Sequence, residues 1–395
     1  MRVLHVTGAL ASRLGGPTRA AIGMCEGLAA RGVEVTLFST DLDEQGGWSP
    51  LRPPVLLDVP TDGPVHVRGV ERRHFRARWP SRVAFSPDLA RALRERMPAF
   101  DVVHVHSLYL FTTLAACHYA GRRLVPYVVR PHGTLDPYLR RRHALRKAVW
   151  DGLLQRRQLD RAAAVQYTSE DERELARPFG IRAPAVVVPL GVDLAEFEAL
   201  PARGSFRALH PQLRGRRLVV FLGRVTPKKG LDVLVAAFAR VAAEVPDAHL
   251  VIAGPDDGHG QAVGRMIDAL GLRARTTTTG MVAGRERLAL LADADAWVLP
   301  SYTENFAIAA VEALACGVPV VISDRVNIHR DVSAAGAGLV TPCDPAAVAG
   351  AISRVLGDDG LRERLRAAGP ALVRRSFTWD VAVGRLLSLY AELAA

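Results

Sequence analysis

Short, valine-rich apolar segments alternate with longer segments of helical periodicity along almost the whole chain, and this alternation starts twice. Segments such as Leu218-Val219-Val220-Phe221 are apolar on both faces, as are the strands of a parallel sheet covered by helices. The alternation therefore predicts an α/β fold with two separate sheets. The predicted strands are 2–7, 33–39, 101–106, 126–130, 164–168 and 185–189 in the first series, and 218–223, 249–253, 296–300, 318–322 and 338–341 in the second.

The segment 194–216 separates the two series. It lacks sustained periodicity and carries proline, glycine and charged residues, as linkers do. A length of 395 residues also suits two or three domains, each with a core of its own. We therefore expect a first domain over 1–198 and a second over 199–377, each a doubly wound sheet. Ligands of such sheets bind beyond the carboxyl ends of the strands, in this case in a cleft between the domains.

Composition excludes several classes of protein. Hydrophobic residues make up 49% of the chain and charged residues 23%, so it is not disordered. Its four cysteines are far apart and lack metal-ligand spacing, which favours a reducing compartment. The start of the chain does not read as a secretion signal, and no run of about 20 apolar residues predicts a membrane span. We expect a cytoplasmic location, free or peripheral on the inner face of a membrane.

The net charge of +11 raises the question of an anionic partner. Nucleic acid is a poor candidate, because the chain has no known reader motif and only 6% aromatic residues. A basic segment over 138–161 combines an apolar stripe with eight arginines and lysines, a pattern typical of helices that lie on anionic membranes. A helix packed on the core with a solvated arginine face explains it equally well.

A first glycine-rich loop follows the first predicted strand. Gly15 and Gly16 precede Pro17, which suits the first position of a helix, and amides at a helix start favour an anion. A glycine-rich turn without a ligand accounts for this segment equally well, and Gly-x-Gly-x-x-Gly is absent.

The second domain opens with a more specific loop, Gly223 to Gly230. It places Arg224 and Lys229 between a strand and a helix, where a guanidinium fork and an ammonium group can grip a diphosphate. Only three of the 51 basic residues are lysines, and Lys228 and Lys229 are two of them.

Two glutamates flank the start of an apolar helix expected over 306–316. Glu304 precedes the helix, whose amino end carries partial positive charge, and the amides of Asn305, Phe306, Ala307 and Ile308 could hold an anion or sugar hydroxyls. Glu312 lies about two turns inside and must find a partner or raise its pKa if buried, and the two hydroxyls of a ribose would satisfy it. Alternatively, Glu304 merely begins the helix and Glu312 lies on the surface.

Together these motifs resemble the group-1, family 4 type glycosyltransferases, retaining enzymes of the GT-B fold. The motifs that carry the resemblance span nearly the whole chain: Gly15-Gly16, Asp101-Val102-Val103-His104-Val105-His106, Pro131-His132-Gly133, Pro189-Leu190-Gly191-Val192-Asp193, Gly223-Arg224 with Lys229-Gly230, and Glu304 with Glu312 followed by Ala315-Cys316-Gly317. The resemblance implies two Rossmann-like domains facing each other across a cleft, with a C-terminal helix over 378–395 crossing back to the first.

The resemblance also implies roles. Arg224 and Lys229 would bind the diphosphate of a nucleotide sugar, Glu304 the sugar hydroxyls and Glu312 the ribose. His132 would approach the transferred sugar, and the Gly15-Gly16 loop would close over the phosphates. The implied reaction retains the anomeric configuration and needs neither metal nor cofactor, and its acceptor would be a saccharide or a lipid-linked saccharide of cell-surface polysaccharide or oligosaccharide assembly. A nucleotide-sugar epimerase of similar shape is the alternative.

The chain departs from the family where Glu-Gly-Phe-Gly is common, because it has Glu304-Asn305-Phe306-Ala307. Asparagine tolerates a left-handed backbone conformation, so we expect the loop to survive at Asn305. The methyl group of Ala307 stands where backbone would approach the sugar. Two Asp-x-Asp sequences, at Asp41 and Asp293, have no position that favours a metal site.

Overall fold

The computed structural model describes residues 1–11, 15–44, 53–140 and 150–395. These residues form two compact units, one of Met1–Gly191 with Trp379–Ala395 and one of Val192–Thr378. Each unit has a mainly or wholly parallel sheet covered by helices, as the repeated alternation of apolar segments predicted.

The first unit has an eight-stranded sheet of order β10-β9-β8-β7-β1-β2-β6-β5. All neighbouring strands are parallel except β5 and β6. Because β1 lies between β2 and β7, the strand order reverses beside β1, and the carboxyl ends of β1 and β7 mark this switch point. The strands are β1 Arg2–Ala9, β2 Glu34–Thr40, β5 Pro64–Val67, β6 Val70–Phe75, β7 Val102–His106, β8 Tyr127–Arg130, β9 Ala164–Tyr167 and β10 Ala185–Val187. The short strands β3 Leu42–Glu44 and β4 Val55–Leu56 form a separate antiparallel pair.

The helices of the first unit cover its sheet. They are α1 Gly16–Ala29, α2 Pro87–Arg96, α3 Phe111–Arg123, α4 Pro137–Arg140, α5 Arg156–Asp160 and α6 Glu170–Ala176. The predicted basic helix over 138–161 lies partly outside the described residues, which omit 141–149.

The second unit has a six-stranded, wholly parallel sheet of order β13-β12-β11-β14-β15-β16. Numbered from its own first strand, this order is 3-2-1-4-5-6, that of dinucleotide-binding Rossmann domains, and its switch point lies between β11 and β14. The strands are β11 Arg217–Leu222, β12 Ala248–Ala253, β13 Thr276–Gly280, β14 Ala296–Leu299, β15 Val320–Ser323 and β16 Gly338–Thr341. The helices are α7 Ala195–Glu198, α8 Ser205–Leu209, α9 Leu231–Glu244, α10 Gly260–Ala269, α11 Gly284–Asp293, α12 Ile308–Ala315, α13 His329–Ala334, α14 Pro345–Gly357 and α15 Asp359–Ser376.

The boundary of the units falls between Gly191 and Val192, a few residues before the predicted one at 198. Val192 belongs with the second unit because its amide donates to the carbonyl of Phe377 at 2.9 Å. Glu196 is tied to the same unit by the guanidinium of Arg287 at 2.7 Å.

The last helix, α16 Trp379–Ala394, returns to the first unit. It packs on α1, where the ring of Trp379 lies against Gly23. A Cβ at Gly23 would stand 2.1 Å from that ring. Arg31 and Asp380 form an ion pair of 2.9 Å beside this contact. The predicted returning helix is therefore confirmed. Across the described ranges, no helix combines the length and apolarity needed to cross a membrane.

Candidate functional site

Lys229 and Glu304 meet at the switch point of the second sheet. Lys229 follows β11 and Glu304 follows β14, so two strands that are neighbours in the sheet bring together residues far apart in the sequence. The ammonium group of Lys229 donates to Oε2 of Glu304, and Lys228 Nζ lies 4.0 Å from the same oxygen. The side chains of Lys229 and Glu304 are only 14% and 13% exposed, so this is a largely buried ion pair.

The two loops that carry this pair are held tightly together. The amide of Tyr302 donates to the carbonyl of Lys228 at 2.9 Å. Gly230, with a φ of +67°, is packed against Pro300, and a Cβ at Gly230 would stand 1.9 Å from the carbonyl oxygen of Pro300. Only glycine fits this approach, which explains its place after Lys229.

The electrostatics of the pair fix its charges. Burial opposes the ionisation of Glu304, but Lys229, Lys228 and Arg224 outweigh it and lower the pKa of Glu304 to about 2. Burial lowers the pKa of Lys229 below its usual value, although the Glu304 carboxylate counteracts this effect. Glu304 is thus a carboxylate at neutral pH, a hydrogen-bond acceptor and a weak base.

Arg224 lies close enough to lower the pKa of Glu304, but its guanidinium is bound elsewhere. It donates to Asp257 at 2.9 Å, in the loop after β12, and both side chains are substantially exposed. Arg224, the residue predicted to bind the diphosphate, therefore has a carboxylate partner that the sequence analysis missed. An exposed ion pair of this kind contributes little to stability, so a ligand can compete for the guanidinium.

The loop from 305 to 308 differs from expectation in two respects. The helix begins at Ile308 rather than 306, and Ala307, not Asn305, takes the left-handed conformation, with a φ of 58°. The ring of Phe306 is buried edge-to-face against Phe377, with ring centroids 5.4 Å apart. Among the described residues, the amides of Phe306, Ala307 and Ile308 have no backbone acceptor, as is common for first-turn amides of a helix.

Glu312 is 5% exposed, which excludes a surface position, and it has a protein partner. Arg287 on α11 forms an ion pair with it, and a second nitrogen of the same guanidinium binds Glu196 at 2.7 Å. Burial disfavours the charged guanidinium, but Glu312 and Glu196 outweigh it and raise the pKa of Arg287. Sequence reasoning missed Arg287, although a buried carboxylate called for a cation and α11 carries two arginines.

The remaining predicted residues lie in the first unit. Gly15 has a φ of 66° and stands before α1. Apart from the chain neighbours of each glycine, no described atom lies within 4 Å of the place of a Cβ at Gly15 or Gly16. Residues 12–14 of the same loop lie outside the described ranges. His132 follows β8 with a φ of 53°, and Glu172 fixes its loop by accepting from the Gly133 amide at 2.6 Å.

His132 has neighbours that the sequence analysis did not assign to the site. Its ring lies beside His106, which is followed inward by His5, and His104 stacks on both of these. The sequence signal was the alternation of histidines in Val103-His104-Val105-His106, which places both rings on one face of β7.

Both Asp-x-Asp sequences bind protein groups. Asp293 accepts from the amides of Gly204 and Arg207, and Asp295 accepts from the amide of Leu218 at 2.8 Å. Asp41 accepts from the amide of Ala77 at 2.7 Å. In the part of the chain that the structure describes, no group of three or more His, Cys, Asp or Glu side chains is arranged to hold a metal ion.

Two families match the chain. The family described as glycosyl transferases group 1 matches residues 205–371, and the one described as glycosyltransferase family 4 matches residues 14–196. Each match covers most of one of the two units.

Curated relatives align over between about half and nearly all of the chain. A D-inositol 3-phosphate glycosyltransferase of Xylanimonas cellulosilytica is 32% identical over 96% of this chain and 92% of its own. A phosphatidyl-myo-inositol mannosyltransferase of Mycobacterium tuberculosis is 35% identical over 56% of this chain and 58% of its own.

Solved structures share the fold. Anabaena HepE in complex with UDP superposes with a TM-score of 0.78 at 19% identity, covering 99% of this chain and 100% of that one. Sucrose-phosphate synthase from Thermosynechococcus elongatus superposes with a TM-score of 0.74 at 21% identity, covering 100% and 99%. The fold is GT-B, and the chain belongs to the group 1, family 4 type glycosyltransferases.

Proposed function

We propose that the chain moves a sugar from a nucleoside diphosphate sugar to a hydroxyl group and retains the anomeric configuration. The observation that carries this proposal is the buried Lys229–Glu304 pair at the switch point, beside the first-turn amides of α12. A cation, a carboxylate and amide donors at one sheet edge match the charges and hydroxyls of such a donor.

Departure of the diphosphate requires positive charge in the site. When the bond between the anomeric carbon and the diphosphate breaks, negative charge develops on the phosphate and positive charge on the sugar. Lys229, Arg224 and the amides of 306–308 would stabilise the phosphate, and Arg224 would exchange Asp257 for it. The chain itself supplies the positive charge, so the proposed step uses no metal ion or cofactor.

The low pKa of Glu304 bears on where the proton of the acceptor hydroxyl goes. A carboxylate with a pKa of about 2 is a weak base, suited to accept hydrogen bonds from sugar hydroxyls rather than to remove a proton. The acceptor oxygen would attack on the face of the departing diphosphate. Its proton would pass to a phosphate oxygen, one C–O bond being broken as the other forms.

Glu312 would accept hydrogen bonds from the ribose of the donor. Arg287 supports this role because its ion pair with Glu312 orients that buried carboxylate. The contributions of His132, Gly15 and Gly16 stay predictions.

The donor and acceptor are proposed by class. Structures of Anabaena HepE in complex with UDP and with UDP-glucose support a nucleotide sugar as the donor. The acceptor is proposed to be a hydroxyl of a phosphorylated inositol or of a saccharide, free or lipid-linked, since named relatives act on D-inositol 3-phosphate or phosphatidyl-myo-inositol. Docking on an anionic membrane and a cytoplasmic location stay predictions. The comparisons give no support to an epimerase.

Thermal-shift screening of UDP, GDP, ADP and their sugars tests the donor, since a bound ligand raises the melting temperature by mass action. The sugar that shifts it most is then offered with D-inositol 3-phosphate, phosphatidylinositol and polyprenyl-linked saccharides. We expect transfer with retained configuration by NMR, and no loss of rate in EDTA. An inverted product, or dependence on an added metal, would contradict the mechanism.

Replacing Lys229 tests the role of its charge. Lys229→Met should lower turnover by roughly 10²–10³, the scale of losing one preorganised charge-stabilising group. Arg240→Ala removes an exposed cation from the helix that follows this loop, and it should leave turnover unchanged. Equal turnover in the Lys229 variant and the wild type would rule out that role.

A further inference from the structure

Three histidines form a hydrogen-bonded chain in the first unit. His132 Nε2 lies 3.2 Å from His106 Nδ1, and His106 Nε2 lies 3.0 Å from His5 Nδ1. His106 is buried at the carboxyl end of β7 and His5 is buried in the middle of the neighbouring strand β1, whereas His132 is half-buried. Burial and the Arg130 guanidinium lower the pKa of His5 and His132, and burial and the neighbouring histidines lower that of His106. All three rings are therefore neutral at neutral pH.

The two hydrogen bonds couple the tautomers of the three neutral rings. Each neutral imidazole carries one proton, and each of the two hydrogen bonds needs one N–H and one lone pair. Both bonds form only when all three rings are protonated on Nδ1 or all three on Nε2. The tautomer of His132 is thus coupled to that of His5 through His106.

The inner end of the chain decides between the two arrangements. His5 Nε2 is buried and has no hydrogen-bond partner in the described residues. A proton there would be an unsatisfied donor in the field of the Arg130 cation, whereas a lone pair is stabilised by that field. The other polar rings at His5 are His104, stacked on it, and Tyr390, edge-on at 6.4 Å, and both are neutral at neutral pH because burial lowers the pKa of His104 and raises that of Tyr390.

We propose that His5 and His106 are positioning residues that hold His132 as its Nδ1–H tautomer. His5 then donates to His106 and His106 donates to His132, so that the lone pair of His132 Nε2 is occupied and Nδ1 carries the proton. His132 consequently offers an N–H donor to an oxygen of a ligand and has no free lone pair with which to act as a base. That His132 donates to a sugar or phosphate oxygen rests on the proposed function, but its tautomer does not.

Nitrogen NMR of protein labelled with ¹⁵N-histidine reads the tautomer without any ligand. The signals of His132 are assigned from their loss in His132→Ala. In the wild type we expect a protonated-type shift at Nδ1 and an unprotonated-type shift at Nε2. His106→Leu interrupts the hydrogen-bonded series of histidines, and we expect His132 to change to the Nε2–H form that free imidazole side chains prefer. In His106→Asn the side-chain amide can still donate to Nε2, so the Nδ1–H form should return.

His104→Phe is the matched control, because His104 is buried in the same stack but bonds Tyr390 instead of joining the chain. It should leave the tautomer of His132 unchanged. An Nε2–H tautomer in the wild type overturns the proposal, and so does an Nδ1–H tautomer that survives His106→Leu in a folded protein.

Transfer assays separate this proposal from the proposed function. If the chain transfers sugar, His106→Leu should lower kcat/KM roughly tenfold, the worth of about one neutral hydrogen bond, and His106→Asn should restore most of it. If no donor is turned over, the proposed function fails while the NMR result still decides the tautomer.

Discussion

Arg287 and Glu312 show how single residues set the electrostatics of the second unit. Because both side chains are less than 10% exposed, each depends on the other for compensation of its charge. Arg287→Met should therefore lower the free energy of unfolding by about 3–5 kcal/mol, since it leaves a buried carboxylate without its cation. Arg287→Met/Glu312→Leu should recover most of that loss. Urea denaturation measures both.

Arg285→Met is the control for this pair, because Arg285 is exposed on the same helix and we expect it to change stability by less than about 0.5 kcal/mol. A double variant as unstable as Arg287→Met alone would show that the loss comes from packing of the arginine stem rather than from the unpaired charge.

Glu304 should leave a signature in the pH dependence of stability. Its pKa is about 2 in the folded protein against a usual 4.5, so its contribution is complete above pH 4.5 and is lost as pH falls toward 2. Between pH 6 and pH 3 the wild type should lose about 2 kcal/mol more than Glu304→Gln. Denaturant titrations at both pH values test this, and Glu363→Gln, at an exposed glutamate, should behave as the wild type. Parallel losses in wild type and Glu304→Gln would contradict the low pKa.

The charged residues of the site were predictable from the sequence, but their partners were not. Arg224, Lys229 and Glu304 stand next to strand ends and helix starts, and Glu312 is the one ionisable residue of an apolar helix; local patterns reveal both. Asp257 and Arg287 reach them from other elements, and which carboxylate meets which cation depends on side-chain packing across the sheet edge. The histidine chain likewise needed the pairing of β1 with β7.

At the scale of elements, Ala307 determines where α12 begins. A left-handed residue cannot belong to a right-handed helix, so the helix starts at Ile308 instead of 306. Left-handed alanine costs about 1–2 kcal/mol relative to glycine, partly offset by the greater unfolded-state entropy of glycine. Ala307→Gly should therefore stabilise the protein by up to about 1 kcal/mol in thermal or chemical denaturation.

Ala309→Gly is the matched control for this prediction, because Ala309 lies in the same helix with ordinary helical geometry. It should cost about 0.5–1 kcal/mol. Loss of stability in both variants would show that the loop does not strain Ala307.

Apolar periodicity found the buried strands and missed the polar ones. Strand β13 contains Thr276-Thr277-Thr278-Thr279, and β6 contains Glu71-Arg72-Arg73. The first is an edge strand. In β6, Arg72 binds Glu26 at 2.6 Å and Arg73 binds Glu71 at 2.8 Å, so ion pairs replace the apolar burial that the pattern search detects.

At the scale of the whole molecule, the repeated alternation determined the two sheets, but the chain does not divide into two consecutive segments. Its last helix returns to the first unit and buries Ala382, Val383, Leu386 and Tyr390 there. The family resemblance predicted this return. Periodicity alone shows an amphipathic helix but not which sheet its apolar face covers.

The contact of Gly23 with Trp379 tests how much this returning helix contributes. A Cβ at Gly23 would stand 2.1 Å from the indole, so Gly23→Ala must displace the ring or the first turn of α16. We expect a loss of about 1–3 kcal/mol, the usual cost of overpacking, with faster proteolysis of the C-terminal segment seen by mass spectrometry. Gly121→Ala is the matched control, since Gly121 is exposed in α3 and no described atom beyond its own helix backbone lies within 4 Å of the place of a Cβ. This variant should gain about 0.4–1 kcal/mol. If Gly23→Ala were as stable and protease-resistant as the wild type, docking of α16 on α1 would not contribute to the stability of the first unit.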